Sequence, residues 1–422
     1  MKRLHSIRLA LFPSGSRRED LAEPALDLLR DFFYAPYDSR LGRLLPTFLR
    51  VPLRRNYYAR KQAALASEQA DLQAILKEPA AVTVLFLPGL DWDSQLFQRP
   101  QQLATALAHL GTRVFYLLPQ GKTSNPALRQ IEPNLFLCAA PVATFRLLER
   151  PWVYTLTWNR IHLLALDAPR ILYDFVDDLS VIHGDPARMQ RYHAELLRRA
   201  EKVVTTSRRL QKAAQIARPD ACYIPNGVVY EHFRPACSRN KPVPAEMAAF
   251  TGGPQTRPVI GYYGALARWF DYELYSKTAL LRPQYEFVLI GPSVDASLEK
   301  SGLLQLPNVH WLGRKPYADL AAYLRWFDVA TIPFKLENLT HAISPVKLFE
   351  YFAGGKLVVA TPMDETCQYP DVLLAEGAND FASKLDEALK LKDDPTMLEL
   401  IDRVARQNTW EVRARALLDQ LD

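Results

Sequence analysis

The sequence predicts an α/β protein of two Rossmann-like, doubly wound domains that face each other across a cleft. Three observations carry that prediction. At 422 residues the chain is longer than one hydrophobic core usually organises. From about residue 80 onward, short apolar, β-branched or aromatic runs alternate with longer amphipathic stretches, the pattern of a parallel sheet wrapped by helices. A Pro- and polar-rich stretch, Arg234 to Pro258, interrupts the alternation and reads as a linker, after which the pattern restarts.

In the first half the predicted strands are Thr83 to Leu87, Arg113 to Leu118, Leu135 to Ala139, Trp152 to Thr157, Ile171 to Val176, Lys202 to Thr206 and Cys222 to Ile224. Arg99 to Leu110 and Met189 to Ala200 carry apolar residues at three- and four-residue spacing, as surface helices do. The second set of strands is Val259 to Tyr263, Tyr285 to Ile290, Asn308 to Leu312, Val329 to Pro333 and Leu357 to Ala360. The expected division is an extension over 1–78, a Rossmann-like domain over 79–233, a second over 258–400 and a C-terminal helix over 401–422. Doubly wound sheets bind ligands at their C-terminal strand ends, so two facing crevices form one cleft, where the active site is expected.

Composition excludes several classes. Hydrophobic residues make up 49% and charged residues 23%, and no stretch approaches the roughly 20 apolar residues of a membrane span. Neither Rossmann start contains G-x-G-x-x-G, which disfavours an NAD-dependent oxidoreductase. Cys138, Cys222, Cys237 and Cys367 show no paired spacing and no partner His, so zinc and a disulfide framework are not expected. No convincing signal for export is present, and a cytoplasmic protein is expected.

The formal charge of +6 is uneven. Residues 1–78 hold 14 Lys and Arg against 9 Asp and Glu, and Arg40 to Lys61 has seven cations and no acid, interleaved with leucines, Phe48, Tyr57 and Tyr58. Such a segment suits an anionic membrane surface, at the inner face of the cytoplasmic membrane. It equally suits a solvated linker or a helix packed on the main body. No nucleic-acid partner is expected.

The most informative stretch runs from Ser344 to Thr361. Ser344 reads as an N-cap, Pro345 as the first helical residue, and Gly354-Gly355 as the stop before a buried strand. The helix start then presents unpaired N–H groups and positive dipole to the cleft, as a diphosphate requires. Lys347 adds a formal charge there, and Glu350, three residues on, shares its helix face and can accept both hydroxyl protons of a ribose. The alternative is a surface Lys–Glu pair worth a few tenths of a kcal/mol.

This stretch resembles the nucleotide-sugar signature of GT-B glycosyltransferases, in the large retaining, family 4-like group that includes sucrose synthases and lipopolysaccharide transferases. Gln98 to Ala104, Tyr173 to Asp178, Asn226-Gly227-Val228 and Trp410 to Arg413 are similar to the branch of teichuronic-acid and exopolysaccharide transferases. The resemblance covers residues 80–422 and implies a GT-B fold with the acceptor in the first domain and a nucleoside-diphosphate sugar, UDP-sugar foremost, in the second. It implies a metal-independent hexosyl transfer with retention of configuration and no cofactor beyond the donor, to a glycan or lipid-linked acceptor in surface polysaccharide biosynthesis. A nucleotide-sugar 2-epimerase of the same fold and a non-catalytic scaffold of polysaccharide assembly are the rivals.

Carried over residue by residue, the family's ribose-binding Glu falls on Glu350, while the Glu eight residues earlier falls on Ala342 and is missing. Asn338, Thr340, Ser344 and the backbone from Ile343 through Pro345 to Val346 are the expected substitutes around the sugar, with His341 nearby. Gly264, after the first strand of the second domain, lets a ligand approach the backbone. The family's Arg and Lys beyond that glycine fall on Ala265 and Phe270, which leaves Arg268 as the replacement cation, with a salt bridge to Asp271 as its alternative; Asp271 suits a cap or a ligand contact equally. On the acceptor side, Gly89, Asp91, Trp92 and Asp93 follow the first strand, and Arg99 opens the next helix, either touching substrate or fastening the loop. Asp177 stands where the family often has His and suits a catalytic or hydroxyl-binding role, with helix capping at Asp178 the alternative.

Overall fold

The computed structural model describes residues 72–78, 80–94, 97–119, 128–181, 185–251 and 257–421. The chain divides between Ile75 and Leu76 into two compact units, and both sheets belong to the second. The basic segment Arg40 to Lys61 lies outside the described residues. Among the described residues, no helix is long and apolar enough to cross a membrane.

The first sheet contains β1 (Thr83–Phe86), β2 (Arg113–Leu117), β3 (Leu128–Glu132), β4 (Leu135–Cys138), β5 (Trp152–Thr155), β6 (Arg170–Phe175), β7 (Lys202–Thr205) and β8 (Cys222–Tyr223), in the order β3-β4-β2-β1-β5-β6-β7-β8. All neighbours are parallel except β3, which runs antiparallel on the edge against β4. The sequence reading missed β3, because Leu128-Arg129-Gln130-Ile131-Glu132 is half polar and sits at an edge where one face stays wet.

The second sheet contains β9 (Val259–Tyr263), β10 (Glu286–Ile290), β11 (Val309–Trp311), β12 (Val329–Ile332), β13 (Val358–Ala360) and β14 (Leu373–Leu374), in the order β11-β10-β9-β12-β13-β14, all parallel. Its central strands β9, β10, β12 and β13 are buried along their whole length, as both-face coverage demands. Both sheets reverse their winding beside their first strand, between β1 and β5 and between β9 and β12. Those reversals are where doubly wound sheets open a crevice.

Helix α1 (Arg99–His109) is started by Gln98, whose N–H donates to Gln101 Oε1 at 2.8 Å, and it buries Leu103, Ala104 and Leu107 on the first sheet. Helix α2 (Pro186–Arg199) starts at Asp185, which accepts from Ala187 N at 3.1 Å. Helix α3 (Tyr272–Leu281) is capped by Asp271, which accepts from Leu274 N at 3.0 Å, so the cap is the role Asp271 takes.

Two expectations need correction. Arg234 to Pro258 is not a free linker: Ala236 and Met247 are fully buried in the second core, and short helical turns at Arg234–Cys237 and Ala245–Met247 hold them there. Its proline content marked turns, and a few apolar anchors among polar residues were too sparse to read as a packed segment. The C-terminal stretch is also not one helix. Pro395–Gln407 ends at Asn408, Thr409 bridges Val228, and the chain resumes as a separate helix (Trp410–Leu421) whose Trp410, Ala414, Leu417 and Leu421 pack into the first core.

Candidate functional site

A cavity of about 300 Å³ opens where the strands of both sheets end. The first half supplies Leu90 after β1, Leu156 and Trp158 after β5, Asp177 after β6 and Asn226 after β8. The second half supplies Gly264 after β9, Gly291 and Pro292 after β10, Arg314 and Tyr317 after β11, and helix α4 (Val346–Ala353) through Val346, Lys347 and Glu350.

Helix α4 starts one residue later than its sequence suggests. Pro345 is the N-cap in extended conformation, with no side-chain cap. Ser344 instead ties the helix start to the first half, its Oγ accepting from Asn226 N at 3.2 Å and its carbonyl from Asn226 Nδ2 at 2.8 Å. Gly354 and Gly355 end the helix as expected.

Lys347 and Glu350 do not form an ion pair within 4 Å, so the surface-pair alternative fails. Glu350 is only 4% exposed. Burial pushes its carboxyl up to about 7, against the hydroxyls of Tyr263 and Tyr317 and the Lys347 charge, which favour ionisation. Among the described residues neither tyrosine hydroxyl, though buried, reaches a well-formed hydrogen bond. Burial draws the Lys347 ammonium down to about 8, with Glu350 opposing. Its Nζ lies 4.9 Å from the Phe334 ring centre and 5.6 Å from that of Tyr262.

Gly264 makes room for this lysine. It sits at φ +141°, and a Cβ there would lie 2.9 Å from Lys347 Cε. Gly291, at φ +143°, packs so tightly on Gly264 that a Cβ would meet its carbonyl oxygen at 1.9 Å.

The cavity wall of the first half is organised by a buried network. Arg99 Nε donates to Asp174 Oδ2 at 2.7 Å and Nη2 to Oδ1 at 3.3 Å, while Tyr154 donates to Oδ2 at 2.5 Å. Arg99 Nη1 continues to the Pro225 carbonyl at 3.1 Å and Asn226 Oδ1 at 3.4 Å. Arg99 therefore borders the cavity with its guanidinium committed to Asp174 on β6 and to Pro225 and Asn226 after β8, so it fastens those segments and not the β1 loop. Asp177 borders the cavity as an exposed residue; desolvation by the crowded wall around it, then the charges of Asp174 and Asp178, push its carboxyl up to about 6. Asp178 takes the capping role, accepting from Ser180 N at 2.9 Å.

Other expected contacts do not reach the cavity. Arg268 is exposed and outside the lining; buried Leu266 and Ala267 pin the turn so that the next side chain faces away, and its N–H donates to Asp295 at 2.8 Å. No Arg268–Asp271 ion pair forms. Thr340 is fully buried and spends its hydroxyl on the Lys335 and Glu337 carbonyls, closing the turn of Asn338–His341. Asn338 accepts from Arg209 at 2.8 Å, and His341 bonds Asp364 at 2.7 Å, both away from the cavity. From the described part of the β1 loop Leu90, Phe97 and Gln98 line the wall, and Gly89, Asp91, Trp92 and Asp93 do not. Trp92 packs edge-on against Phe97 and Tyr116, Asp91 lies near Tyr116, and Gly89 lies against Asn159. Asp91 and Asp93 have the D-x-D spacing of carboxylates that share a cation. Among the described residues, no group of three or more His, Cys, Asp or Glu side chains is arranged to hold a metal.

The sequence reading missed Tyr317, Arg314, Gly291 and the role of Tyr263. Gly291-Pro292 after a predicted strand was a visible turn signal; Arg314 and Tyr317 carried none.

Residues 257–391 match the family model described as glycosyl transferases group 1. A Bacillus subtilis (strain 168) protein named as a teichuronic acid biosynthesis glycosyltransferase, TuaH, is 29% identical over 235 residues, 53% of this chain. The match spans just over half of that relative's length, 57%. Among solved structures, a sucrose-phosphate synthase from Thermosynechococcus elongatus is similar at TM-score 0.57 and 18% identity, over 80% of this chain and 98% of its own. Anabaena HepE in complex with UDP and glucose is similar at TM-score 0.57 and 16% identity, over 80% and 98%. An Escherichia coli trehalose-6-phosphate protein bound with UDP-2-fluoro glucose is similar at TM-score 0.61 and 12% identity, over 81% and 99%. At these identities the solved structures speak for the fold. With two sheets of one winding order and the ends of both at one cavity, the chain has the GT-B fold, and its residues 257–391 match the glycosyl transferases group 1 model.

Proposed function

We propose that the protein is a glycosyltransferase that moves a hexose or hexuronic acid from a nucleoside-diphosphate sugar, a UDP-sugar first, to a hydroxyl of a glycan or lipid-linked acceptor in surface polysaccharide biosynthesis. One observation carries this reading. The start of α4, with Lys347 and Glu350, opens on a cavity walled by the strand ends of both halves. Residues 258–400 then hold the donor and 79–233 the acceptor.

In this reading the ionised Glu350 accepts the ribose hydroxyl protons, and the buried Tyr263 and Tyr317 hydroxyls find acceptors on the ligand. The free N–H groups at the start of α4 and the Lys347 ammonium stabilise charge that grows on the departing diphosphate, in a walled site where such charges act strongly. Gly264 lets the phosphates approach the backbone. Asp177, across the cavity, holds a sugar hydroxyl of donor or acceptor. Transfer is metal-independent and retains the anomeric configuration, and the basic extension brings the cleft to a membrane surface where a lipid-linked acceptor resides. The UDP and UDP-sugar complexes among the structural neighbours and the name of the B. subtilis relative support the choice of donor and pathway class.

A thermal-shift and calorimetric panel of UDP-, GDP-, ADP- and dTDP-sugars tests the reading. The UDP-sugars are expected to bind most tightly, with affinity unchanged by EDTA. No response to any of the four overturns it.

A further inference from the structure

A diphosphate needs cationic partners, and this chain lacks the two that the resembled family places after the first glycine of the second domain, where it has Ala265 and Phe270. Four cations border the cavity: Arg99, Arg314, Lys315 and Lys347. Arg99 is committed to Asp174 and the 225–226 backbone and side chain. Lys315 donates to Glu246 Oε1 at 2.6 Å and lies over the Tyr323 ring. Lys347 is enclosed between two aromatic rings. Arg314 and Lys347 have no ion-pair or hydrogen-bond partner among the described residues, and of the two only Lys347 has rings against it, so the Arg314 guanidinium is the uncommitted cation.

Its placement is set by the sheet. Gly291 N donates to the Gly313 carbonyl at 2.8 Å, Trp311 Nε1 to the Gly291 carbonyl at 3.0 Å, and Leu312 N to the Leu289 carbonyl at 2.9 Å. The β11 loop is thereby laced to the β10 loop, which packs on Gly264, the residue under Lys347. An unpaired guanidinium and an enclosed ammonium thus border one cavity from different elements. A guanidinium can bind two phosphate oxygens at once and stays charged at every working pH.

Resting on the donor reading above, we infer that Arg314 is the second cation of the donor diphosphate site, supplied from the β11 loop in place of the first strand-to-helix turn. It binds the diphosphate and takes no part in recognising the nucleoside.

Calorimetric titration of the full chain with UDP, UMP and uridine tests this. Arg314→Ala is expected to weaken UDP by about tenfold or more, UMP by less, and uridine not at all, with part of the loss restored in Arg314→Lys. Arg268→Ala is expected to bind all three as wild type does. UDP affinity unchanged in Arg314→Ala overturns the assignment, and so does an equal loss on uridine. If Glu350→Gln loses UDP while Arg314→Ala keeps it, the donor reading stands and the assignment alone falls. Failure of the wild-type chain to bind UDP overturns both.

Discussion

The two walls of the cavity solve the burial of charge in opposite ways. In the first half, Asp174 is fully buried and every partner it needs is protein: Arg99 twice and Tyr154 once. In the second half, Glu350 is buried almost as deeply, yet Lys347 stands outside ion-pair distance and the Tyr263 and Tyr317 hydroxyls make no well-formed hydrogen bond among the described residues. A buried polar group without a hydrogen bond costs about 1–3 kcal/mol, so a fold keeps several together only where something else satisfies them. The saturated wall is built to hold shape. The unsatisfied wall is the one that the proposed donor reading gives to the ligand.

Cutting the saturated wall should cause the largest effect. Asp174→Ala leaves the Arg99 guanidinium buried and uncompensated, and should cost about 3–5 kcal/mol of stability, read by chemical denaturation. Tyr154→Phe removes one donor to the same carboxylate and should cost about 1.5–3 kcal/mol. Stability within error of wild type in both variants would mean that the two walls do not differ as described.

Glu350→Gln should behave differently. The loss falls on nucleotide binding, about 1.5–3 kcal/mol through charge-assisted ribose contacts, while the unfolding midpoint stays level or rises because a desolvated carboxyl is gone. A fall in stability like that of the Asp174 variant would put Glu350 among the structural groups.

How much of this contrast was legible in the sequence depends on the range of the interaction. Strand runs such as Val259 to Tyr263, the glycine stop of α4 and the Lys347–Glu350 spacing are local signals, and they were readable within a few residues. Arg268 was misplaced because distance along the chain from Gly264 does not say which way a turn faces; the burial of Leu266 and Ala267 does. Trp92 was misplaced because an exposed stacking surface and a packed aromatic have the same sequence appearance, and here Phe97 and Tyr116 take the ring. Arg314 and Tyr317 were invisible for a related reason. They reach the cavity only because β11 pairs with β10, a long-range register that no local pattern encodes.

The pH dependence of binding should sharpen the comparison at moderate amplitude. Glu350 holds its proton up to about 7 in the fold, against an ordinary value of 4.5, so the folded state binds more protons between those values. Its contribution to stability therefore falls as pH rises from about 4.5 to about 7 and is level above. Lys347, drawn down to about 8 from 10.5, gives the reverse slope between those two values. If the donor reading holds, nucleotide binding uses the carboxylate and the ammonium together, so affinity should be greatest between about 7 and about 8 and weaken on both sides. Calorimetry across that range checks the profile, and Glu350→Gln should erase its acid limb. A flat profile would mean that neither group faces the ligand.

The smallest effect expected is the most discriminating. Tyr317→Phe deletes a hydroxyl chemically identical to the one removed in Tyr154→Phe, from the other wall of the same cavity. The Tyr154 hydroxyl has a carboxylate partner at 2.5 Å, so its loss strands an acceptor. The Tyr317 hydroxyl is buried and makes no well-formed hydrogen bond among the described residues, its approach to Glu350 being loose, so its removal strands little and relieves a desolvated donor. Stability should stay within about 0.5 kcal/mol of wild type or rise by up to about 1 kcal/mol, while UDP affinity drops by the worth of one neutral hydrogen bond, about 0.5–1.5 kcal/mol. Opposite signs in stability for the same atomic deletion, with binding lost only in the second, would locate the ligand against the β11 loop. Destabilisation of both variants by equal amounts would mean that Tyr317 finds a protein partner in solution, and the second wall would then be as saturated as the first.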